Sequence, residues 1–167
     1  MAEIPHTLQG YAAFVDGRGY AGRTEEAQLP KIALKTEDHR DGGMDAPIEL
    51  AMGMEKLGDV VITFTGQEAE LLDGFGRSDL PITLRGSFLD GAGVEHPDVI
   101  HVRGLCKEID DGNWKAAEGG KRKVTLAPRY YKRTTDGRDR LEIDPVNKIR
   151  MVNGVDQLAQ RRRNLGV

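Results

Sequence analysis

Apolar residues along this chain recur mostly at every second position, the spacing that puts them on one face of a β-strand. Val60, Ile62 and Phe64 alternate with other residues over 59–65, and Leu80, Ile82, Leu84 and Phe88 do so over 80–88. Over 99–109, Ile100, Val102 and Cys106 fall on one side and His101, Arg103 and Lys107 on the other. That placement makes Cys106 a small buried hydrophobe rather than a reactive or cross-linking thiol. Residues 11–15, 124–134 and 141–143 read as further strands. Turn signals separate them: Asp16-Gly17, Asp90-Gly91-Ala-Gly93, Asp110-Asp-Gly-Asn113 and Thr135-Asp-Gly137. The polar, basic stretch from Trp114 to Lys123 reads as a mobile loop, and Asp144 to Gly154 has no clean period.

Two segments have helical spacing instead. Thr65-Gly-Gln-Glu68 has the form of a capping box, followed by Leu71, Leu72 and Phe75 on one face and a stop at Gly74 or Gly76. The expectation is a short mid-chain helix lying across the sheet with Leu71, Leu72 and Phe75 down. The tail from Val155 to Val167 predicts a second helix, with Asp156 at its start, arginines toward its end and Asn164 or Gly166 as its stop. At that length it is marginal alone and must dock on something.

The stretch from Leu29 to Met54 breaks the pattern. It begins and ends as strand, but residues 35–47 form a charged excursion, KTEDHRDGGMDAP, that cannot pack in a core. Gly42-Gly43 gives the backbone access to positive φ, and Pro47 removes a ladder donor. A long charged loop between two strands of a small domain is functional or disordered.

Composition narrows the possibilities. The 167 residues suffice for one core, so the chain is read as a single domain, 1–167. A net charge of −3 argues against an electrostatic grip on nucleic acid. With one cysteine there is no internal disulfide framework, and no apolar run is long enough to span a bilayer. The first residues, MAEIPHTLQGYAAF, lack the basic-then-apolar form of a secretory signal, so folding in a cytosol is expected.

Candidate chemistry is sparse. Gly17-Arg-Gly19-Tyr-Ala-Gly22 matches a dinucleotide-binding string, but Pro30 leaves barely two turns for the helix that must follow. A plain hairpin turn is the better reading, and a soluble nucleotide-binding domain the runner-up. His6, His39, His96 and His101 have no metal-ligand spacing, and no nucleophile elbow, Walker lysine or zinc-protease motif occurs. Glu142 and Asp144 share a face as solvated carboxylates. No cofactor, metal or catalytic residue is expected. A strand-rich protein must hide its sheet edges, and ring closure by several copies is one way to do so.

The charged stretch decides between these readings. LPKIALKTEDHRDGGMDAPIELAMGMEKL resembles the tail tube proteins of contractile-tailed phages and R-type pyocins, in which a strand, an E-x-x-R-x-G-G-M-x-A-P loop and an apolar strand follow one another. The match falls on Glu37, Arg40, Gly42, Gly43, Met44, Ala46 and Pro47. It continues, in collinear order over nearly the whole chain, through Arg85-Gly-Ser-Phe88, residues 103–109, 112–115 and 130–132. It is densest at Glu142-Ile-Asp-Pro145, Val152-Asn-Gly-Val-Asp-Gln-Leu158 and Arg163-Asn-Leu-Gly166.

The resemblance implies a mainly β, β-sandwich or barrel-like subunit with a short mid-chain helix and a C-terminal helix. Six copies would form a ring whose inner strands join in one shared β-barrel. Rings would stack into a tube inside a contractile sheath, contacting sheath, baseplate, tape-measure and tail terminator proteins. DNA would pass down the lumen without tight binding, and nothing would be anchored in a membrane. The particle would be assembled in the bacterial host cytoplasm; a DNA-free pyocin-like particle is the alternative. Glu37, Arg40, Gly42, Gly43, Met44, Ala46 and Pro47 become candidate inter-subunit contacts, joined by Asp144, Asn153, Asp156 and Arg163 near the C-terminus. On this reading 35–47 is an inter-subunit loop, ordered in the tube and loose in the monomer, and 155–167 a helical tail.

Overall fold

The computed structural model describes residues 4–167. Residues 1–3, part of the N-terminus read above as free of a signal, lie outside it. Strands dominate, and every pairing is antiparallel. They are β1 (Thr7–Val15), β2 (Arg18–Gly19), β3 (Thr24–Gln28), β4 (Leu34–His39), β5 (Ile48–Met54), β6 (Val60–Thr65), β7 (Leu80–Leu89), β8 (Glu95–Asp110), β9 (Lys121–Thr135), β10 (Arg138–Asp144), β11 (Ile149–Val152) and β12 (Val155–Asp156). A 3-10 helix spans Ala69–Gly74, and the chain closes with α1 (Ala159–Leu165).

The long strands β8 and β9 form the spine. β9 is shared between two branches: its first half, Lys121–Leu126, pairs with β6, and its second half, Tyr131–Thr135, with β10. Both halves also pair with β8. From β8 the main sheet continues through β7 to β1 and β2, while β6 carries β3 as its outer neighbour. The alternating apolar positions point into the space this curled sheet encloses. Val60, Ile62, Phe64, Ile82, Val102, Cys106, Val124 and Leu126 are fully buried there. Burial of one such aliphatic or aromatic side chain is worth about 1.5–3 kcal/mol. Tyr20 closes one end edge-on to Phe64, 5.1 Å between ring centroids. Cys106 is free and buried, as its face predicts.

The turns follow the sequence. Asp16 and Gly17, and again Asp136 and Gly137, have positive φ at both central positions, the geometry of two-residue hairpins. Gly17 to Gly22 is thus a hairpin followed by β3, with no helix to receive a pyrophosphate. Gly104 sits where β8 slips register against β9; a Cβ there would lie 2.1 Å from the Ala127 carbonyl oxygen.

The helix expectations need correction. Thr65 is the last residue of β6 and donates its amide to the Arg23 carbonyl, while Glu68 forms an ion pair with Arg23 at 2.6 Å. With both partners engaged elsewhere the capping box does not form, and only the tight 3-10 helix remains. Leu71 is buried, but Leu72 and Phe75 are exposed, Phe75 by 62%. The tail is not one helix from Val155. Val155 and Asp156 pair with β11, and Gln157 donates to the Arg150 carbonyl, so α1 starts at Ala159. Gly166 caps it in the left-handed region as expected. The basic end of the 114–123 loop belongs to β9, and the aperiodic 144–154 segment contains β11 between two turns.

Candidate assembly surface

The charged excursion stands apart from the core. β4 and β5 form a two-stranded sheet of their own, joined to the body at a clamped root: Glu55 donates to the Ala33 carbonyl and Gly58 to the Lys31 carbonyl, each at 2.9 Å. Lys35–His39 is therefore paired strand, not loop, because β5 supplies partners for its backbone even though every side chain in β4 is exposed. The loop proper is Arg40–Pro47. Within it Gly43 donates to the Asp41 carboxylate at 2.8 Å, Met44 donates to the Asp41 carbonyl at 3.3 Å, and Arg40 reaches the Asp45 carbonyl at 3.5 Å.

Gly42 and Gly43 do not adopt positive φ, contrary to the sequence reading, and an added Cβ would meet nothing at Gly42 and only the Asp41 carboxylate at 3.6 Å at Gly43. Nothing inside the subunit therefore demands glycine at these positions. Glu37, Arg40, Ala46 and Pro47 are exposed and Met44 is half-buried. On β5, Ile48, Leu50 and Met52 share one face, with 49%, 43% and 54% of their surface in water. A lone hairpin is marginally stable in water, so such an apolar row calls for a cover.

The C-terminal candidates lie far from this arm in the chain and behave differently. Asp144 is buried and accepts both the amide and the side-chain N–H of Asn147 in the β10–β11 turn. Asp156 accepts the Leu158 amide at 3.0 Å and pairs with Arg162, whose guanidinium and the Leu158 N–H hold its carboxyl below the usual range. Both aspartates thus have partners inside the subunit. Asn153, at positive φ, and Arg163 are exposed on the β11–β12 turn and on α1, and no residue of α1 is buried.

Three polar clusters escaped sequence reasoning. Arg122, almost wholly buried, binds the Asp111 carboxylate and the Glu68 carbonyl. Arg133 and Thr135 donate to Asp98, which is buried on β8 directly opposite Thr135. His96 places Nε2 3.0 Å from Asp90 and Nδ1 3.0 Å from Asp136, linking the β7–β8 and β9–β10 turns, with His6 stacked on its ring at 5.3 Å. Alternation flags a polar residue at a core position, as at Arg122, but it does not name the partner.

On the solvent face of β7, β8 and β9 lies a row of basic side chains partly met by carboxylates, Lys132 with Asp139 at 2.9 Å and Arg103 with Asp79 at 3.9 Å. His101 lies between Thr83 and Lys132 in the register, with Arg85 close enough to help hold its imidazole pKa below the ordinary value, after burial as the larger cause. Arg103 lies over the Tyr130 ring at 4.5 Å.

A packed body, a clamped arm with an uncovered apolar row and unpaired strand edges define a protein whose surfaces are made to meet other protein. The phage tail tube protein FII family matches residues 5–166, and this chain belongs to that family. It is 36% identical to the tail tube protein of Escherichia phage P2, covering 98% of this chain and 99% of that one. It is 30% identical to the major tail tube protein of Serratia phage KSP20, over 87% and 86% of the two chains. The fold is similar to that of a chain in the six-fold symmetrised cryo-EM structure of the anti-feeding prophage baseplate, with a TM-score of 0.54 and 12% identity. That likeness covers 80% of this chain and 96% of the other. The chain is a structural subunit of a phage tail tube and a component of the virion, working in assembly with copies of itself and other tail components.

Proposed function

We propose that this subunit polymerises as stacked six-membered rings inside a contractile sheath, forming the tube that crosses the host envelope and conducts DNA. The carrying observation is the β4–β5 arm, a paired hairpin with an apolar row that its own body leaves uncovered. Unpaired edges at β1 and β3 supply a further reason for ring closure, since edge pairing between copies removes a site of uncontrolled aggregation. The role is mechanical, without bond-making chemistry. Sheath, baseplate, tape-measure and terminator proteins are the other contacts, and Glu37, Arg40, Gly42, Gly43, Met44, Ala46, Pro47, Asp144, Asn153, Asp156 and Arg163 are the candidate residues toward them or toward neighbouring copies.

Passage of DNA constrains the lumen. A net negative chain suits a lumen through which DNA slides without sticking, because a basic lining would hold phosphates. A ring reconstruction with a predominantly basic lumen would overturn this.

Negative-stain microscopy of the expressed chain tests the reading: hollow tubes of uniform width are expected. A protein that stays monomeric and binds a nucleotide at Gly17–Gly22 would replace it with the runner-up. Gly43→Val should fold with wild-type circular dichroism, because the site has room for a side chain, yet form no tubes. Normal tubes from that variant would remove the arm from the interface. Capsid and terminase genes beside this one distinguish a DNA-delivering phage from a DNA-free pyocin-like particle.

A further inference from the structure

The turn between β11 and β12 consists of Asn153 and Gly154, with Val152 paired to Val155 across it. Both turn residues have positive φ, 48° and 82°, and both are exposed. Of the four asparagines, Asn113, Asn147, Asn153 and Asn164, Asn153 is the one followed by glycine. A glycine has no side chain to shield its backbone nitrogen from the preceding side chain. The pair is therefore reactive. The Gly154 nitrogen can attack Asn153 Cγ, closing a cyclic imide and expelling the side-chain nitrogen as ammonia. Water then opens the ring at either carbonyl, leaving aspartate or, with the chain rerouted through the side chain, isoaspartate.

We propose that Asn153 is a deamidation site whose reaction is gated by the opening of β12 and α1 from the body. In the left-handed conformation ψ is about +45°, which sets the Gly154 nitrogen nearly opposite Cβ about the Cα–C bond. Ring closure needs the two on the same side, so Asn153 must first leave the turn conformation. Its amide also donates to the Arg140 carbonyl at 2.9 Å, which fixes the turn against β10. The segment that holds the turn closed is nevertheless small. β12 pairs with β11 only through Val155 and Asp156, and Gln157 donates to the Arg150 carbonyl. Arg162 ties α1 back through Asp156 and, at 2.8 Å, through the Lys148 carbonyl. No residue of α1 is buried, so this segment can open without unfolding the core. The folded chain reacts through that opening, at a rate set by how often it occurs. Isoaspartate adds a methylene to the backbone and a carboxylate to its side, in a loop whose length fixes Val152 against Val155. The hairpin cannot reclose in register, and β12 and α1 stay detached.

The test ages the purified full-length chain at mildly alkaline pH, where the attacking amide loses its proton more readily, with and without guanidinium chloride. Peptide mass mapping reads the mass gained when the side-chain NH2 becomes OH, and isoaspartyl methyltransferase labels the rerouted product. Conversion is expected at Asn153 in both conditions, at least tenfold slower in the folded chain. Arg162→Ala, which loosens α1, should speed the folded reaction and leave the denatured one unchanged. Equal rates with and without denaturant, or no acceleration in Arg162→Ala, would overturn the gating. Conversion at Asn113, Asn147 or Asn164 in place of Asn153 would overturn the site. Aged wild type should also be cut faster by trypsin at Arg161 to Arg163, whereas Asn153→Gly, which keeps the turn and cannot react, should not change on ageing. Aged wild type cut no faster than fresh protein would overturn the detachment.

Discussion

At the residue scale, two positions show how local chemistry decides stability. Gly104 faces the Ala127 carbonyl at the register slip between β8 and β9, where a Cβ at 2.1 Å has no room and the obstruction is backbone. Gly104→Ala should cost about 3 kcal/mol or more, at or above the usual overpacking range, and chemical denaturation of the purified variant measures it. His96 is the second. Hydrogen bonds to Asp90 and Asp136 raise its pKa, and the bond to His96 is the first cause holding Asp90 at about 2. A raised histidine stabilises fully below its unfolded value and loses that contribution as pH rises through the folded one. A depressed aspartate stabilises above its unfolded value and loses that contribution as pH falls toward about 2. The latch is therefore strongest between about pH 4 and pH 6.5. The melting-temperature gap between the wild type and His96→Gln should be widest near pH 5 and narrow as pH rises above about 7. A gap that does not change with pH would dismiss the latch. The sequence showed His96 only as a histidine without metal spacing, because its carboxylates come from turns six residues before and forty residues after it.

At the element scale, strands were legible and helices were not. Alternation located β6, β7 and β8 because each has one dry face, and Asp-Gly pairs located the hairpins because two positive φ values are needed there. The capping box misled, since Thr65 and Glu68 both had partners on β3's approach through Arg23, a contact with no local signature. The arm was half legible. Its charge marked it as outside the core, but charge hid that Lys35–His39 is paired strand. The C-terminal tail carries its own prediction. Since α1 buries no residue and leaves Leu165 60% exposed, removing Val155–Val167 should leave the body folded and weaken assembly. Size-exclusion chromatography and tube counts of the truncated chain check this; undiminished tube yield would confine the helix to decoration.

At the scale of the whole molecule, the family was readable because the motif around Gly42-Gly43-Met44 and the C-terminal run lie in collinear order. The contacts between copies were not, since they belong to no single chain's periodicity. The shared strand β9 has a further consequence. Its fifteen residues cross from the branch with β6 to the branch with β10 without a break, each half bonded along its length to neighbours on both sides. A load applied along β9 is then carried in shear by many hydrogen bonds at once, where a junction of two shorter strands would unzip them in turn. Pulled through handles at the two ends of β9, Lys121 and Thr135, in a single-molecule force experiment, the subunit should give one rupture with no intermediate plateau. Where a push on the tube falls along β9, the subunit meets it with one continuous beam through both halves.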